Sequence, residues 1–180
     1  MKQLLSLLML LLSVAAYAGN VLSVSEKPTR KNFDLKSASI LFDDYESVTV
    51  KTSISLFAED IERVSGVKPK LTNEMPQSNV VIVGTIGSGR WIEQLVKSKK
   101  INVSKIANGW EQFVVKVVEK PFKGVDKALV IAGSDRRGTA YGLFSISEAI
   151  GVSPWYGETY LSSIEVIFLS MLTSYLLSHL

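Results

Sequence analysis

The chain has 180 residues, 47% of them hydrophobic, which is enough apolar material for one buried core and hardly enough for two. Its 20 basic and 17 acidic residues are scattered, so the net charge of +3 comes without the basic block that nucleic-acid binding requires. Because there is no cysteine, disulfides and thiolate metal sites are excluded. Length and composition therefore predict one domain with no nucleic-acid partner.

The first eighteen residues have the composition of a signal peptide. Lys2 precedes an apolar stretch from Leu4 to Val14, and an Ala-Tyr-Ala sequence at residues 16–18 suits signal peptidase. The apolar run is shorter than the roughly 20 residues that a membrane-spanning helix needs. We therefore expect cleavage after Ala18 and export to the periplasm or to the outside of the cell.

Residues 19–32 are polar without apolar periodicity, which indicates a flexible lead-in, and the domain is predicted to begin at Phe33. Residues 39–42 predict a short buried strand. An amphipathic helix follows, ended by Gly66 and the later Pro69. Its apolar positions recur at helical spacing: Val50, Ile54, Phe57, Ala58, Ile61 and Val64.

Residues 79–84 form a nearly continuous β-branched run, which is typical of a central parallel strand covered by helices on both faces. The glycine turn at residues 87–89 leads into a second helix. Its apolar residues are Trp91, Ile92, Leu95 and Val96. This alternation of strand and helix predicts a doubly wound arrangement in the first half of the domain.

The second half changes character, because residues 113–118 and 128–132 are two apolar strands joined by a segment with Pro121 and Gly124. That pattern predicts a β-hairpin. A last helix is predicted from about Arg137 to Ile150, with Gly151 just past its end. Its apolar face holds Ala140, Leu143, Phe144, Ser147 and Ile150. The predicted fold class is α/β, a single small domain (residues 33–156) with a mixed sheet flanked by helices.

Residues 157–180 differ in composition from this domain. From Leu161 onward the chain has one acid, Glu165, and no Lys or Arg. The segment has the length of a marginal transmembrane helix, yet it carries five Ser and one Thr and no basic residue after it. An anomalous apolar tail is therefore predicted at residues 157–180, and a membrane is a partner only if this tail is a real anchor.

Two loops have the composition of ligand-binding loops. The turn at Gly84–Gly89 lies between a strand and a helix, where phosphates bind, but Ile92 occupies the third position of the Gly-x-Gly-x-x-Gly frame and favours a plain turn without a cofactor. The loop Ser134-Asp135-Arg136-Arg137 lies at a strand end and a helix start. Either its charged side chains face a ligand, or Asp135 or Ser134 caps the helix while the arginines pair with surface carboxylates.

No histidine-based triad or metal cluster can be assembled from the domain, and two acidic pairs do not suit glycosidase chemistry. The acidic pairs Asp43-Asp44 and Glu59-Asp60 invite comparison with glycosidase carboxylates, but adjacent residues point in different directions and cannot converge on one bond. His179 is the only histidine and lies in the tail. Trp155 and Tyr156 form either a sugar-stacking platform or, as we favour, part of the core.

Several segments together carry a family resemblance. They are residues 128–142 (ALVIAGSDRRGTAYG), residues 147–156 (SEAIGVSPWY) and residues 56–69 (LFAEDIERVSGVKP). They resemble the N-terminal domain of glycoside hydrolase family 115 over roughly residues 33–156. The resemblance implies an enzyme class that removes glucuronic acid, or its 4-O-methyl ether, from xylan side chains.

The resemblance also implies what is missing. In that family the front domain precedes a (β/α)8 barrel that supplies the catalytic carboxylates, so no catalytic residue is assigned here. The partners implied are that barrel and glucuronoxylan or its oligosaccharides. The residues expected to face the barrel or a ligand are Ser134, Asp135, Arg136, Arg137, Trp155 and Tyr156.

The sequence departs from the family pattern immediately after Tyr156. The family continues with an aromatic, a small residue, Asp and Val, whereas residues 157–160 are Gly-Glu-Thr-Tyr. Loss of one T from TGG-GGA-GAC-GTA converts Trp-Gly-Asp-Val codons into codons for Gly-Glu-Thr and the start of Tyr. We therefore expect a single-base frameshift and a truncated, inactive front domain. The alternative is a stand-alone carbohydrate-binding or envelope module anchored by its tail.

Overall fold

The computed structural model describes residues 32–152 and the backbone of three short strands at residues 23–25, 168–170 and 175–177. The strands are β1 (Ser23–Ser25), β2 (Asn32–Asp34), β3 (Ser39–Leu41), β4 (Leu71–Thr72), β5 (Val80–Thr85), β6 (Phe113–Glu119), β7 (Lys127–Gly133), β8 (Phe168–Ser170) and β9 (Tyr175–Leu177). The helices are α1 (Val48–Ser65), α2 (Arg90–Lys97) and α3 (Arg136–Ala149). The predicted signal peptide lies outside the described residues.

The main sheet has the strand order β4-β3-β5-β7-β6-β9. Strands β4, β3, β5 and β7 run parallel, while β6 runs antiparallel to both β7 and β9. A second sheet, in the order β1-β8-β2, is antiparallel throughout. The predicted fold class, an α/β domain with a mixed sheet and helices, is confirmed.

Strand β5 occupies the centre of the main sheet and is buried along its whole length. Its side chains alternate between two apolar clusters, because successive residues of a strand point to opposite faces. Val81 and Val83 pack with residues of α1 and α3, whereas Val80 and Ile82 pack with residues of α2. Helices therefore cover both faces, as the β-branched run predicts.

Helix α1 has a polar cap at each end. The Ser47 hydroxyl accepts a hydrogen bond from the backbone N–H of Val50 at 3.3 Å. At the other end Gly66 has a φ of 74°, and its N–H donates to the Glu62 carbonyl at 2.8 Å. Because this left-handed conformation favours glycine, the predicted helix stop at Gly66 is confirmed.

The predicted hairpin is also confirmed. Strands β6 and β7 pair in register from Phe113 with Gly133 to Glu119 with Lys127. The Lys120 N–H donates to the Asp126 carbonyl at 2.7 Å and begins the turn. The hairpin turn therefore lies at the amino end of β7, across the sheet from the end at which α3 begins.

Helix α3 lies close to the sheet because it carries glycine on its inner face. A Cβ atom at Gly142 would lie 2.8 Å from Ile131 Cγ2 and 3.2 Å from Phe113 Cδ2. One predicted core residue of α3 is wrong: Phe144 is 41% exposed, and Ile146 is buried instead. The reason is that Phe144 lies about 100° around the helix from the buried Leu143, away from α1 and the sheet.

Candidate functional site

The connections that leave β5 and its two neighbours diverge at the carboxyl edge of the sheet. Strands β3 and β7 lead into α1 and α3, which pack in one apolar cluster, whereas β5 leads into α2 on the opposite face. In open α/β sheets, ligands bind in the crevice where neighbouring connections turn to opposite faces. The carboxyl edge beside β5 is therefore the expected position of a ligand-binding site.

A buried polar network closes that crevice. Glu46, which is 4% exposed, accepts hydrogen bonds from the Thr85 backbone N–H at 2.6 Å and from the Thr85 hydroxyl at 3.0 Å. The Thr85 and Thr139 hydroxyls are 2.9 Å apart. Burial raises the pKa of Glu46 above its ordinary value of 4.5, and the Asp43 charge adds to this, although the Thr85 hydrogen bonds oppose it. The network ties the loop after β3 to β5 and α3.

Carboxylates of the chain itself occupy the glycine turn before α2. Asp43 accepts a hydrogen bond from the Arg90 N–H at 3.0 Å, and Glu93 accepts one from the Gly87 N–H at 3.1 Å. Gly87 has a φ of 80°, and the Ser88 N–H donates to the Thr85 carbonyl. The glycine segment therefore forms a tight turn. Because donors that would hold a phosphate already bind Asp43 and Glu93, the geometry argues against a nucleotide here.

Asp135 binds two segments of the chain together at the other end of this edge. Its Oδ1 accepts hydrogen bonds from the N–H groups of Arg137 at 2.9 Å and Gly138 at 2.8 Å, so it caps α3. Its Oδ2 accepts the Glu111 N–H at 2.7 Å. Burial acts to raise the pKa of Asp135, but these backbone donors outweigh it and lower the pKa below 3.8. The capping role anticipated for this loop is confirmed.

Ser134 completes the same junction. Its hydroxyl accepts the Gln112 N–H at 3.0 Å, and its own N–H donates to the Gln112 carbonyl at 2.8 Å. A Cβ atom at Gly138 would overlap that carbonyl. The segment before β6 and the loop before α3 therefore form one closely packed corner.

An exposed tryptophan stands on this corner. Trp110 is 75% exposed, and its indole N–H donates to Glu111 Oε1 at 2.6 Å. The same oxygen lies 2.8 Å from Arg137 Nη1, and Arg137 Nη2 donates to the Tyr141 hydroxyl at 3.1 Å. Glu111 has a φ of 57°, a conformation that costs a non-glycine residue roughly 1 kcal/mol and that its bond to Asp135 helps to hold. The exposed Trp110 ring is therefore surrounded by polar groups that bind one another.

The acidic pairs do not form a catalytic site. Asp43 is 5% exposed and caps α2, whereas Asp44 points outward and accepts a hydrogen bond from Asn73 at 2.6 Å. In the second pair, Asp60 binds Arg63 and Glu59 is exposed. Asp43 and Asp44 therefore point in different directions, as predicted for the first pair. Within residues 32–152 no three His, Asp or Glu side chains gather as a metal site would require.

The structure brings together only some of the predicted site residues. Ser134 and Asp135 are half-buried in the corner, while Arg136 and Arg137 are exposed beside them. Trp155 and Tyr156 lie outside the described residues. The continuous segment 32–152 ends beyond the far end of α3, which is 14 residues and therefore about 21 Å long. In the part of the chain described, no helix has the length and apolarity to cross a membrane.

Sequence reasoning missed three residues of this edge: Glu46, Thr85 and Trp110. Glu46 lies in a polar stretch after β3, where an exposed loop is the ordinary expectation. Thr85 ends an apolar run, and only the position of the crevice gives it a role. Trp110 lies shortly before the start of β6, at the end of the strand that meets the Ser134 loop. This position was the only signal for Trp110 in the sequence.

Comparisons with known proteins agree with the fold. The sequence matches no family model and no curated protein. Among solved structures it is similar to BtGH115A, a family GH115 4-O-methyl-α-glucuronidase with specificity for decorated arabinogalactans, with a TM-score of 0.55 and 32% identity over 68% of this chain. The chain spans only 15% of the length of that enzyme.

Two further solved structures are more distant. CpGH84D has a TM-score of 0.47 and 14% identity, covering 83% of this chain and 22% of its own. The GH20 β-N-acetylhexosaminidase from Streptomyces coelicolor has a TM-score of 0.47 and 10% identity, covering 86% of this chain and 24% of its own. The likeness that carries weight is the first, and it relates the domain to a small part of a glycoside hydrolase.

Proposed function

We propose that this chain is the N-terminal domain of an exported glycoside hydrolase of family 115, of the α-glucuronidase type. The observation that carries the proposal is the 32% identity to the family GH115 enzyme over 68% of this chain, at a TM-score of 0.55. The segments that resemble the family include α1 and the stretch from β7 through the first half of α3. These elements build the larger of the two apolar clusters.

Hydrolysis is assigned to a part of the enzyme outside this chain. Glycosidases use two carboxyl groups that flank the scissile bond. In the described residues Asp43 and Asp135 serve as helix caps, and Glu46 is buried against Thr85. None of the three is free to reach a glycosidic bond. The front domain alone is therefore proposed to be inactive, with a (β/α)8 barrel as its partner.

The proposed substrate is glucuronoxylan, whose side chains carry glucuronic acid or its 4-O-methyl ether. The enzyme BtGH115A has specificity for decorated arabinogalactans, so the two polysaccharides are the substrates to separate. Export follows from the signal peptide predicted at residues 1–18, with cleavage after Ala18. Both parts of the proposal concern the enzyme to which this domain would belong.

Two experiments test the proposal. Resequencing the gene through the codons for residues 155–160 and several hundred bases downstream should reveal, after one base is restored, an open frame that encodes a barrel. The purified chain should release no glucuronic acid from glucuronoxylan or arabinogalactan, while the restored protein should release it from glucuronoxylan. Absence of a barrel in every frame would overturn the front-domain proposal, and release by the purified chain would overturn its inactivity.

A second function, carbohydrate binding by the domain itself, is favoured by the exposed Trp110. Single exposed aromatic rings next to hydrogen-bonding groups suit ligands with one apolar face, as sugars have. A pull-down of the purified chain on insoluble xylan tests this function. Retention that Trp110→Ala abolishes would support it, and no retention would remove it.

A further inference from the structure

The corner between β6 and α3 carries an exposed aromatic ring within a set of mutually bonded polar side chains. We call Trp110, Glu111, Arg137 and Tyr141 the Trp110 array. Glu111 Oε1 binds both the Trp110 indole N–H and Arg137, and Arg137 lies over the Tyr141 ring with its guanidinium carbon 6.0 Å from the centroid. The tryptophan ring is thus fixed by a hydrogen bond although most of its surface is exposed. A fixed ring loses little conformational entropy when a ligand binds.

The surroundings of the ring favour a saccharide over a protein surface. The core of a protein interface is depleted of charged residues, whereas Trp110 has Glu111 beside it and Arg137 one contact away. A sugar ring matches this arrangement, because its C–H face can pack on the indole while its hydroxyls reach donors and acceptors at the rim. Pockets for small ligands use the same combination of an aromatic surface and a few placed polar groups.

Arg136 adds a charge that the fold leaves available. The residue is exposed, and its side chain makes no hydrogen bond or ion pair with residues 32–152. The bond from the Glu111 N–H to Asp135 joins the residues that immediately follow Trp110 and precede Arg136. The two side chains therefore begin from neighbouring points of the corner. Guanidinium groups bind carboxylates in a bidentate manner, which a hydroxyl cannot reproduce.

We propose that the Trp110 array and Arg136 bind an oligosaccharide that carries a uronic acid, with one sugar ring stacked on Trp110 and the carboxylate paired with Arg136. The choice of a uronic acid rests on the proposed function, since that function supplies glucuronic acid side chains. The site itself rests on the geometry of the corner. It would give the front domain a role in holding the polysaccharide, separate from hydrolysis.

Calorimetric titration of the full chain tests the proposal with two probes of equal length. One is a neutral xylo-oligosaccharide, and the other is the same oligosaccharide bearing one 4-O-methylglucuronic acid. We expect the acidic probe to bind at least about tenfold more tightly at low salt, with the difference shrinking as salt screens the charge. Trp110→Ala should weaken both probes at least tenfold, and Arg136→Ala should weaken only the acidic one.

Two matched variants control for unrelated changes. Tyr45 is 87% exposed but lies after β3, and Lys123 is exposed on the hairpin turn at the opposite edge. Tyr45→Ala and Lys123→Ala should leave both affinities unchanged. Thermal unfolding of each variant, followed by circular dichroism, shows whether the fold is retained.

Each contrary result would overturn one part of the proposal. Equal affinity for the two probes, or an Arg136→Ala variant with full preference, overturns the carboxylate assignment. Absence of binding, or unchanged binding by folded Trp110→Ala, overturns the site. Sedimentation that shows a dimer lost in Trp110→Ala would make the corner an interface between copies instead. None of these results bears on the barrel frame in the gene, so failure here is distinguishable from failure of the family proposal.

Discussion

Two carboxylates at the same edge of the sheet are held in opposite ways. Glu46 is enclosed between the loop after β3, the end of β5 and the first turn of α3, and Thr85 donates two hydrogen bonds to its carboxylate. Asp135 lies in the half-buried corner and receives three backbone N–H donors. Burial dominates at Glu46 and raises its pKa, whereas hydrogen bonding dominates at Asp135 and lowers its pKa.

The edge has an enclosed part around Glu46 and an exposed part around Trp110 and Arg136. The Glu46 network fills the crevice in which α/β domains ordinarily bind ligands, so this position serves stability. The Asp135 corner satisfies its own backbone and still leaves Trp110 and Arg136 exposed. The proposed saccharide site therefore lies at the corner beside β6 and β7, away from the crevice beside β5.

The largest effect is expected from removing the enclosed carboxylate. Glu46→Ala leaves the buried Thr85 N–H without its acceptor, which should lower the free energy of unfolding by about 2 kcal/mol. Glu46→Gln keeps one amide oxygen as an acceptor and should cost less than about 1 kcal/mol at pH 7. Urea denaturation followed by circular dichroism measures both. If Glu46→Ala were as stable as the wild type, the network would not close the crevice.

The sign of the pH dependence provides a finer test. The folded pKa of Glu46 lies above 4.5, so its contribution to stability is complete below the unfolded value and is lost as pH rises through the folded value. The folded pKa of Asp135 lies below 3.8, so its contribution is present above 3.8 and is lost as pH falls through the folded value. The stability difference between wild type and Glu46→Gln should therefore shrink from pH 4.5 toward pH 7.

The second half of that test uses Asp135. The difference between wild type and Asp135→Asn should stay constant above about pH 5 and shrink in more acidic solution. Differences from matched amide variants cancel the titration of the other carboxyl groups. If the two stability differences changed with pH in the same direction, the opposite pKa shifts of Glu46 and Asp135 would be contradicted.

The sequence predicted the elements whose periodicity is long and strong, and it failed where tertiary contacts decide. Helix α1, strand β5 and the hairpin follow from apolar spacing and glycine positions. Strand β4 has only two residues, which is too short for any pattern. In the sequence alone, Phe144 and Ile146 are equally plausible members of the buried face of α3. Only the packing of α3 against α1 and the sheet shows that Ile146 is the buried residue.

The candidate site was predictable to a smaller extent. The Asp135 cap follows from an acid placed before a helix, which is a local pattern. Burial of Glu46 depends on β5 and α3, far away in the sequence, so no local pattern reveals it. The exposure of Trp110 is equally hidden, because tryptophans in a sequence are ordinarily assigned to the core.

The smallest effect on stability is expected at the exposed tryptophan of the corner. Trp110→Ala removes a ring that is 75% exposed and whose indole N–H binds the carboxylate of the neighbouring Glu111, so the free energy of unfolding should change by less than about 0.5 kcal/mol. Tyr45→Ala, at a side chain that is 87% exposed, should behave alike and serves as the control. Urea denaturation measures both. A loss above about 1 kcal/mol for Trp110→Ala alone would mean that the ring supports the fold, and the corner would then be a structural junction like the Glu46 network.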